Sequence, residues 1–302
     1  MKREMLLLAA TLVLALCFSS CKNEDEIYNP KCKISKIWYR SEIGTPDEIF
    51  HYTKKGQLEK IEFINDEAAI NVDMAVFAYN KDKTVSEITY TKQDGTVEVI
   101  SLAYNAKKQT VNKMTYKENG IVMKEVAFTR DAEEGKLTKI EETYEDGLTA
   151  KIASGALSRF YIRFCGDEAE MKSTLKATGN TKAMQLTKTI EVVYDSEFEN
   201  IIETTTSIYK FNFVHKKSFK YDKGNNPYFG LPYFYSDKMN FDLVGFSKNN
   251  VSEFTMVSHQ GDIQTDSTTS TYTYMYNKKQ FPIRIIKTTK QIPVNTYILY
   301  KE

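Results

Sequence analysis

Tyr52-Thr-Lys-Lys-Gly-Gln-Leu58-Glu-Lys-Ile61-Glu-Phe63 returns 27 residues later as Tyr79-Asn-Lys-Asp-Lys-Thr-Val85-Ser-Glu-Ile88-Thr-Tyr90. A third copy, with one extra turn residue, runs Tyr104…Val111…Met114…Tyr116, and a looser one runs Phe128…Leu137…Ile140. Later copies sit at Tyr276…Pro282…Ile285 and, degraded, at Tyr194 and Tyr221. The first four start 24 to 27 residues apart, the length of two strands and two turns, so each repeat is one hairpin. The aromatic ends a strand, residues such as Lys54-Lys55-Gly56 make the turn, and the chain returns. Ile61 and Phe63 share a face. Leu58, three before Ile61, falls on the other face unless a bulge intervenes.

The rest of the chain fits that unit. Runs such as Lys33–Arg40, Asp73–Asn80, Val97–Asn105, Leu157–Cys165, Ile202–Val214 and Ser270–Asn277 are rich in Ile, Val, Thr, Tyr and Phe and bounded by turn residues. Ser267–Tyr274 is Thr-rich, which suits a wet face. The best helical candidate, Asp167–Lys176, is short. Single hairpins are unstable alone, and a dozen strands must twist and curl. The expected fold is all-β with little helix: a long antiparallel meander of repeated hairpins, twisted and rolled over its own core.

The N-terminus reads as an address. Lys2 and Arg3 precede an uncharged run of 14 residues, Met5–Phe18. That is short of the about 20 residues that span a bilayer and right for a signal peptide. Phe18-Ser19-Ser20-Cys21 resembles a bacterial lipobox, with Phe18 in place of the usual Leu. This resemblance implies cleavage before Cys21 and a diacylglycerol on its thiol. The following Lys22-Asn23-Glu24-Asp25-Glu26 is similar to the signal that sends Bacteroidota lipoproteins to the cell surface. The expected organisation is a signal peptide over 1–20, a lipid-anchored polar tether over 21–32 and one β-repeat domain over 33–302. The expected location is the outer membrane, exposed at the cell surface.

The repeats themselves resemble the YD/RHS type of β-hairpin repeat, since Tyr194-Asp195 and Tyr221-Asp222 keep the Tyr-Asp pair. From Phe219 to Ile285 the chain also resembles a family of Bacteroidota lipoproteins with no assigned activity. The resemblance rests on Asn226-Pro227-Tyr228-Phe229-Gly230-Leu231, Ser247-Lys248-Asn249-Asn250-Val251 and Phe281-Pro282-Ile283, with Tyr228 where that family has Phe. It implies an exported β-repeat fold and no catalytic residue. Between the two motifs runs a connection at about 225–247, unusually aromatic, with Tyr228, Phe229, Tyr233, Phe234 and Tyr235 as candidate ligand-binding residues. Long connections are either functional or packed as caps. Rings more often cover core than ligand, so a plug is the favoured reading and a ligand platform the other.

Composition excludes several functions. With 41 Lys+Arg against 40 Asp+Glu, the chain lacks the basic excess of a nucleic-acid binder. Loss of residues 1–20 leaves 39 of each sign. His51, His215 and His259 share no ligand spacing with Cys or carboxylates, and no GxSxG, HExxH, P-loop or GxGxxG occurs. Asp222, Asn225 and Asn226 offer oxygens to a cation, but their spacing fits a tight turn better than an EF-hand. Acidic clusters at Asp131/Glu133/Glu134 and Asp167/Glu168/Glu170 read as solvated turns. Cys32 and Cys165 remain as either one disulfide or two thiols. No catalytic group, metal or cofactor is expected, and the protein is read as non-enzymatic. The expected function is a lipid-anchored cell-envelope binding or interaction module. The alternative is a glycan-binding accessory lipoprotein of a polysaccharide uptake system, although Trp38 is the only Trp. The partners are the membrane, through Cys21, and a glycan or an envelope protein.

Overall fold

The computed structural model describes residues 28, 32–39, 44–64, 72–105, 110–133, 135–144, 186–197, 199–208, 212–234 and 243–301. They form sixteen strands: β1 Ile34–Trp38, β2 Glu48–Tyr52, β3 Leu58–Ile64, β4 Val72–Tyr79, β5 Val85–Thr91, β6 Val97–Tyr104, β7 Val111–Glu118 and β8 Ile121–Arg130. Then come β9 Leu137–Tyr144, β10 Leu186–Tyr194, β11 Ile201–Ile208, β12 Phe213–Asn225, β13 Asn249–Gln260, β14 Ile263–Tyr276, β15 Pro282–Thr289 and β16 Ile292–Tyr300. Each strand is antiparallel to its sequence neighbours. The rolled meander has no free edge, however: β1 pairs with β16 and closes a barrel. Closure satisfies the backbone groups that an open sheet would leave on its edge strands. The run Ile202–Val214 is two strands, because Asn212 adopts a positive φ of 49° and turns the chain. The expected helix Asp167–Lys176, the strand Leu157–Cys165 and Cys165 itself lie outside the described residues.

The repeat is a hairpin with a bulge. Tyr52 pairs with Leu58, Tyr79 with Val85, Tyr104 with Val111, Tyr194 with Ile201 and Tyr276 with Pro282, each beside a register shift. The extra residue turns Leu58 back to the face of Ile61, so both are buried. In the looser copy Arg130, not Phe128, holds the strand end and pairs with Leu137. The Tyr221 copy pairs with Val251, with the 226–248 connection inserted into its turn.

Tyrosines link successive repeats. Tyr79 donates its hydroxyl to the Leu58 carbonyl at 2.6 Å, and Tyr104 to Val85 at 2.7 Å. Tyr221 donates to Ile201 at 2.5 Å, Tyr274 to Val251 at 2.5 Å and Tyr300 to Pro282 at 2.7 Å. Every acceptor is the residue beside a bulge. A bulge disrupts the local ladder, and an unpaired buried carbonyl costs about 1–3 kcal/mol. At these five positions each hairpin satisfies the one before it, all at one end of the barrel, here termed the ladder end.

Cross-strand partners share a face, so the register sorts the wall. The row Phe77, Ile88, Ile100, Tyr116 points inward, as do Leu102, Met114, Val126 and Phe128, Ile140, Ile190. Ile61, Ile88, Ile100, Met114, Val126 and Ile140 are fully buried. The alternate rows point outward and are mostly polar: Glu87, Ser101, Thr115, Glu125, and Thr205, Lys216, Ser267, with Val257 among them and Val76, Val193, Met275 and Leu299 as exposed apolar residues. Outward ion pairs such as Lys113–Glu125 at 2.6 Å, Lys139–Glu141 at 2.8 Å and Lys220–Glu253 at 2.9 Å stud the wall. Thr269, Thr271 and Thr273 lie on that wet outer face. A membrane barrel has the reverse pattern, and each Lys on a lipid face costs about 2–4 kcal/mol at the midplane. The Lys- and Glu-bearing rows suit water better than lipid.

Burial pushes the ladder phenols Tyr79, Tyr104, Tyr274 and Tyr300 above the usual phenol range. A raised folded-state pKa gives stability that is complete below the unfolded value of about 10 and is lost as pH rises beyond it. Tyr79→Phe or Tyr104→Phe should each cost about 1 kcal/mol in urea unfolding at pH 7. The wild-type midpoint should fall steeply above about pH 10, and the double variant should flatten that fall.

Candidate functional site

A sixteen-strand barrel is wider than its own side chains fill; porins of this size hold an aqueous channel. Here the described parts of the 226–248 connection, 226–234 and 243–248, enter the lumen from the ladder end. Asn226 clasps its neck: its amide donates to the Ser247 carbonyl at 2.7 Å, its backbone N–H to Lys248 at 3.0 Å, and its side-chain oxygen accepts from the Tyr228 N–H at 2.9 Å. Asn249 and Asn200 exchange two bonds, at 2.9 and 3.1 Å, and Asn250 donates to the Asn225 carbonyl at 3.1 Å. Ser247 accepts from the Ile201 N–H at 3.1 Å. The Asn226–Leu231 and Ser247–Val251 motifs are therefore the two halves of one clasp. Its legs touch at Gly245, where a Cβ would sit 2.4 Å from the Leu231 oxygen.

Beyond the clasp the rings fill the barrel. Tyr228, Leu231, Tyr233, Phe234 and Leu243 are buried, Phe229 is half-buried, and Tyr235 lies outside the described residues. Phe234 packs on Tyr90 at 5.8 Å, Tyr90 on Phe63 at 6.0 Å, and Tyr233 meets Phe128 edge-on at 5.4 Å. Between Leu231, Phe246 and the wall residues Leu102 and Met114 remains a gap of about 20 Å³, room for one water. Tyr228, Tyr233 and Phe234 are packed into the barrel interior.

The plug is fastened to charge. Glu142, fully buried on β9, accepts the Tyr233 hydroxyl at 2.5 Å and the Tyr144 hydroxyl. Lys188 of β10 stands 3.1 Å from it and Lys124 of β8 3.9 Å. Lys124 in turn lies 4.2 Å over the Tyr116 ring. Alternation along each strand places all these side chains inward, so a cluster drawn from β8, β9, β10 and the plug meets at one point. Burial opposes ionisation of Glu142, but Lys124, Lys188 and the two hydroxyls outweigh it and hold the carboxyl well below the usual range. An ionised, sealed carboxylate is a poor proton donor near neutrality; this one is a fastener. The same device recurs: Asp73 accepts from Tyr90 at 2.5 Å, Glu48 from Tyr39, and Asp222 from Tyr276. Sequence reasoning missed Glu142 because only the register separates a Glu that faces in from one that faces out.

The remaining candidates separate. Nδ1 of His215 lies 2.8 Å from the Ser258 hydroxyl, both buried, while His51 sits 3.3 Å from Glu62. Asp222 accepts the Gly224 N–H at 2.8 Å, as the tight turn requires. Among the described residues no group of three or more His, Cys, Asp or Glu is placed to hold a metal. Cys32 is buried beside Asn277. On the outer wall at the ladder end, Asp131, Glu133, Thr138, Val193 and Tyr194 border an open groove of about 560 Å³.

Glu142→Gln keeps the shape and strands two lysines in the lumen; it should destabilise the barrel by about 3–5 kcal/mol in urea unfolding. The depressed pKa gives stability present above about pH 4.5 and lost as pH falls towards 2, so the variant's stability should vary less with pH across that window.

No family model matches the chain, and no curated protein matches it. Among solved structures it is similar to a porin-like protein from Bacteroides uniformis, with a TM-score of 0.50 and 14% identity, over 91% of this chain and 100% of that one. A porin-like protein from Bacteroides vulgatus aligns over 89% of this chain and 99% of its own, with 9% identity and a TM-score of 0.39. The first likeness is one of fold: a closed antiparallel barrel.

Proposed function

We propose that this chain is an exported, lipid-anchored protein of the outer-membrane surface, a non-catalytic binding or interaction module whose barrel stands outside the bilayer. One observation carries the reading: a lumen filled by rings and fastened by a buried charge cluster, inside a wall studded with charged side chains. A filled lumen and a charged outer wall favour a barrel that stands clear of lipid, which leaves its association with a membrane to Cys21. Tyr28, the first described residue, lies 3.5 Å from the Tyr52 hydroxyl at the ladder end. The tether therefore leaves from the plugged end, and the opposite end faces away from the anchor.

The test is direct. Cells expressing the full chain and fed radiolabelled palmitate should label it, and Cys21→Ala should abolish the label. The same variant, lacking its signal peptide, should purify without detergent and add no conductance to a planar bilayer. Labelling that survives Cys21→Ala, or channel activity, overturns the reading.

The glycan-binding alternative finds its support in the outer groove beside Tyr194. Its volume suits a short oligosaccharide, with Glu133 and Thr138 as hydrogen-bonding groups and the Tyr194 ring as an apolar wall. On this reading a glycan panel should raise the thermal midpoint with one sugar class, and Glu133→Ala with Thr138→Ala should erase the shift. Saturation at 100 times the dissociation constant adds about 2.7 kcal/mol.

A further inference from the structure

The ladder-end rim is electrically divided although the whole chain carries a net charge of only +1. Three neighbouring turns and the chain terminus follow one another around it: β14–β15, the seam of β16 and β1, β2–β3 and β4–β5. Along that arc Lys278, Lys279, Lys301, Lys54 and Lys55 are exposed, and the β4–β5 turn adds Lys81 and Lys83 against a single Asp82. The opposite arc, at the β8–β9 and β10–β11 turns, carries exposed Glu133 and Glu197, and the exposed Lys248 there is paired with Glu199. The tether leaves from inside the basic arc. Tyr28 contacts Tyr52 there, and the Lys301 N–H donates to the Lys33 carbonyl at 2.8 Å.

We infer that the basic arc is a docking surface for the phosphate-bearing lipid headgroups of the membrane that holds the anchor. The inference rests on the lipid-anchored reading for its orientation. A short tether from Cys21 to Tyr28 keeps this end within reach of the headgroups. A lipid chain combined with a basic patch is also the combination that holds a protein stably on a bilayer. Lysines close to an anionic surface each gain about 1 kcal/mol, about a fivefold gain in partitioning. The divided rim sets a tilt: the lysine arc goes down onto the headgroups, and the acidic arc with its outer groove lifts away. The acidic residues Glu24, Asp25 and Glu26 lie in the tether itself, so the test keeps them.

The experiment uses the chain from Lys22 onward, without the lipid, so that its outcome is independent of whether Cys21 is acylated. Co-sedimentation is measured with vesicles of phosphatidylcholine alone and of phosphatidylcholine mixed with phosphatidylglycerol. The expected result is binding to the mixed vesicles only, abolished by high salt. Replacing Lys54, Lys55, Lys278 and Lys279 by Gln should lower it by nearly three orders of magnitude, at about fivefold per lysine. Replacing the wall lysines Lys113, Lys139, Lys216 and Lys220 by Gln should leave it within a few-fold, with both variants keeping the wild-type thermal midpoint. Absence of binding to the mixed vesicles, equal binding to both compositions, or equal loss from the two sets of lysines overturns the inference. Capture of soluble anionic polysaccharide in place of vesicles also overturns it.

Discussion

A wall of sixteen strands encloses more space than the side chains it carries can occupy, and the rest of the molecule answers that constraint. An empty apolar lumen of this width would forfeit packing on every inward ring, and a wet one would expose them. The 226–248 connection supplies the missing volume. Its clasp of asparagines holds the two legs together at the rim, and Glu142 takes hold of the inner end through Tyr233. Aromatic bulk and a buried charge divide the work: the rings fill space without preferred direction, whereas the carboxylate fixes depth and rotation.

The ladder of tyrosines serves the wall as the plug serves the lumen. A bulge is needed in each hairpin to bring residues three apart, such as Leu58 and Ile61, onto one face, and it leaves a carbonyl exposed to the core. The next hairpin's tyrosine covers it. At five positions a repeat is completed by its successor, which ties the units into one wall rather than leaving them as isolated motifs.

Much of this was legible in the residues. The spacing Tyr52, Leu58, Ile61 against Tyr79, Val85, Ile88 announces a hairpin repeat, and its offset of three announces a bulge. Hairpin repeats do not announce closure, because the partner of Ile34 is Tyr300, at the other end of the chain. The aromatic run around Tyr233 reads equally as core or as ligand surface until one sees which side of the wall it meets. Glu142 was invisible for a related reason. Glu125 and Glu141 lie on the same strands as Lys124 and Glu142, one residue away, yet face solvent. A period of two decides their fate, and the phase is set by bulges whose positions only the paired register reveals.

The seam between β1 and β16 is also a matter of timing. Most other pairings join strands separated by a short turn, so those hairpins form by local contacts, whereas β9–β10 and β12–β13 close longer loops. The seam joins residues at opposite ends and closes last. Until β16 has formed, β1 presents an open edge, so prompt pairing of that strand limits edge-to-edge misassembly.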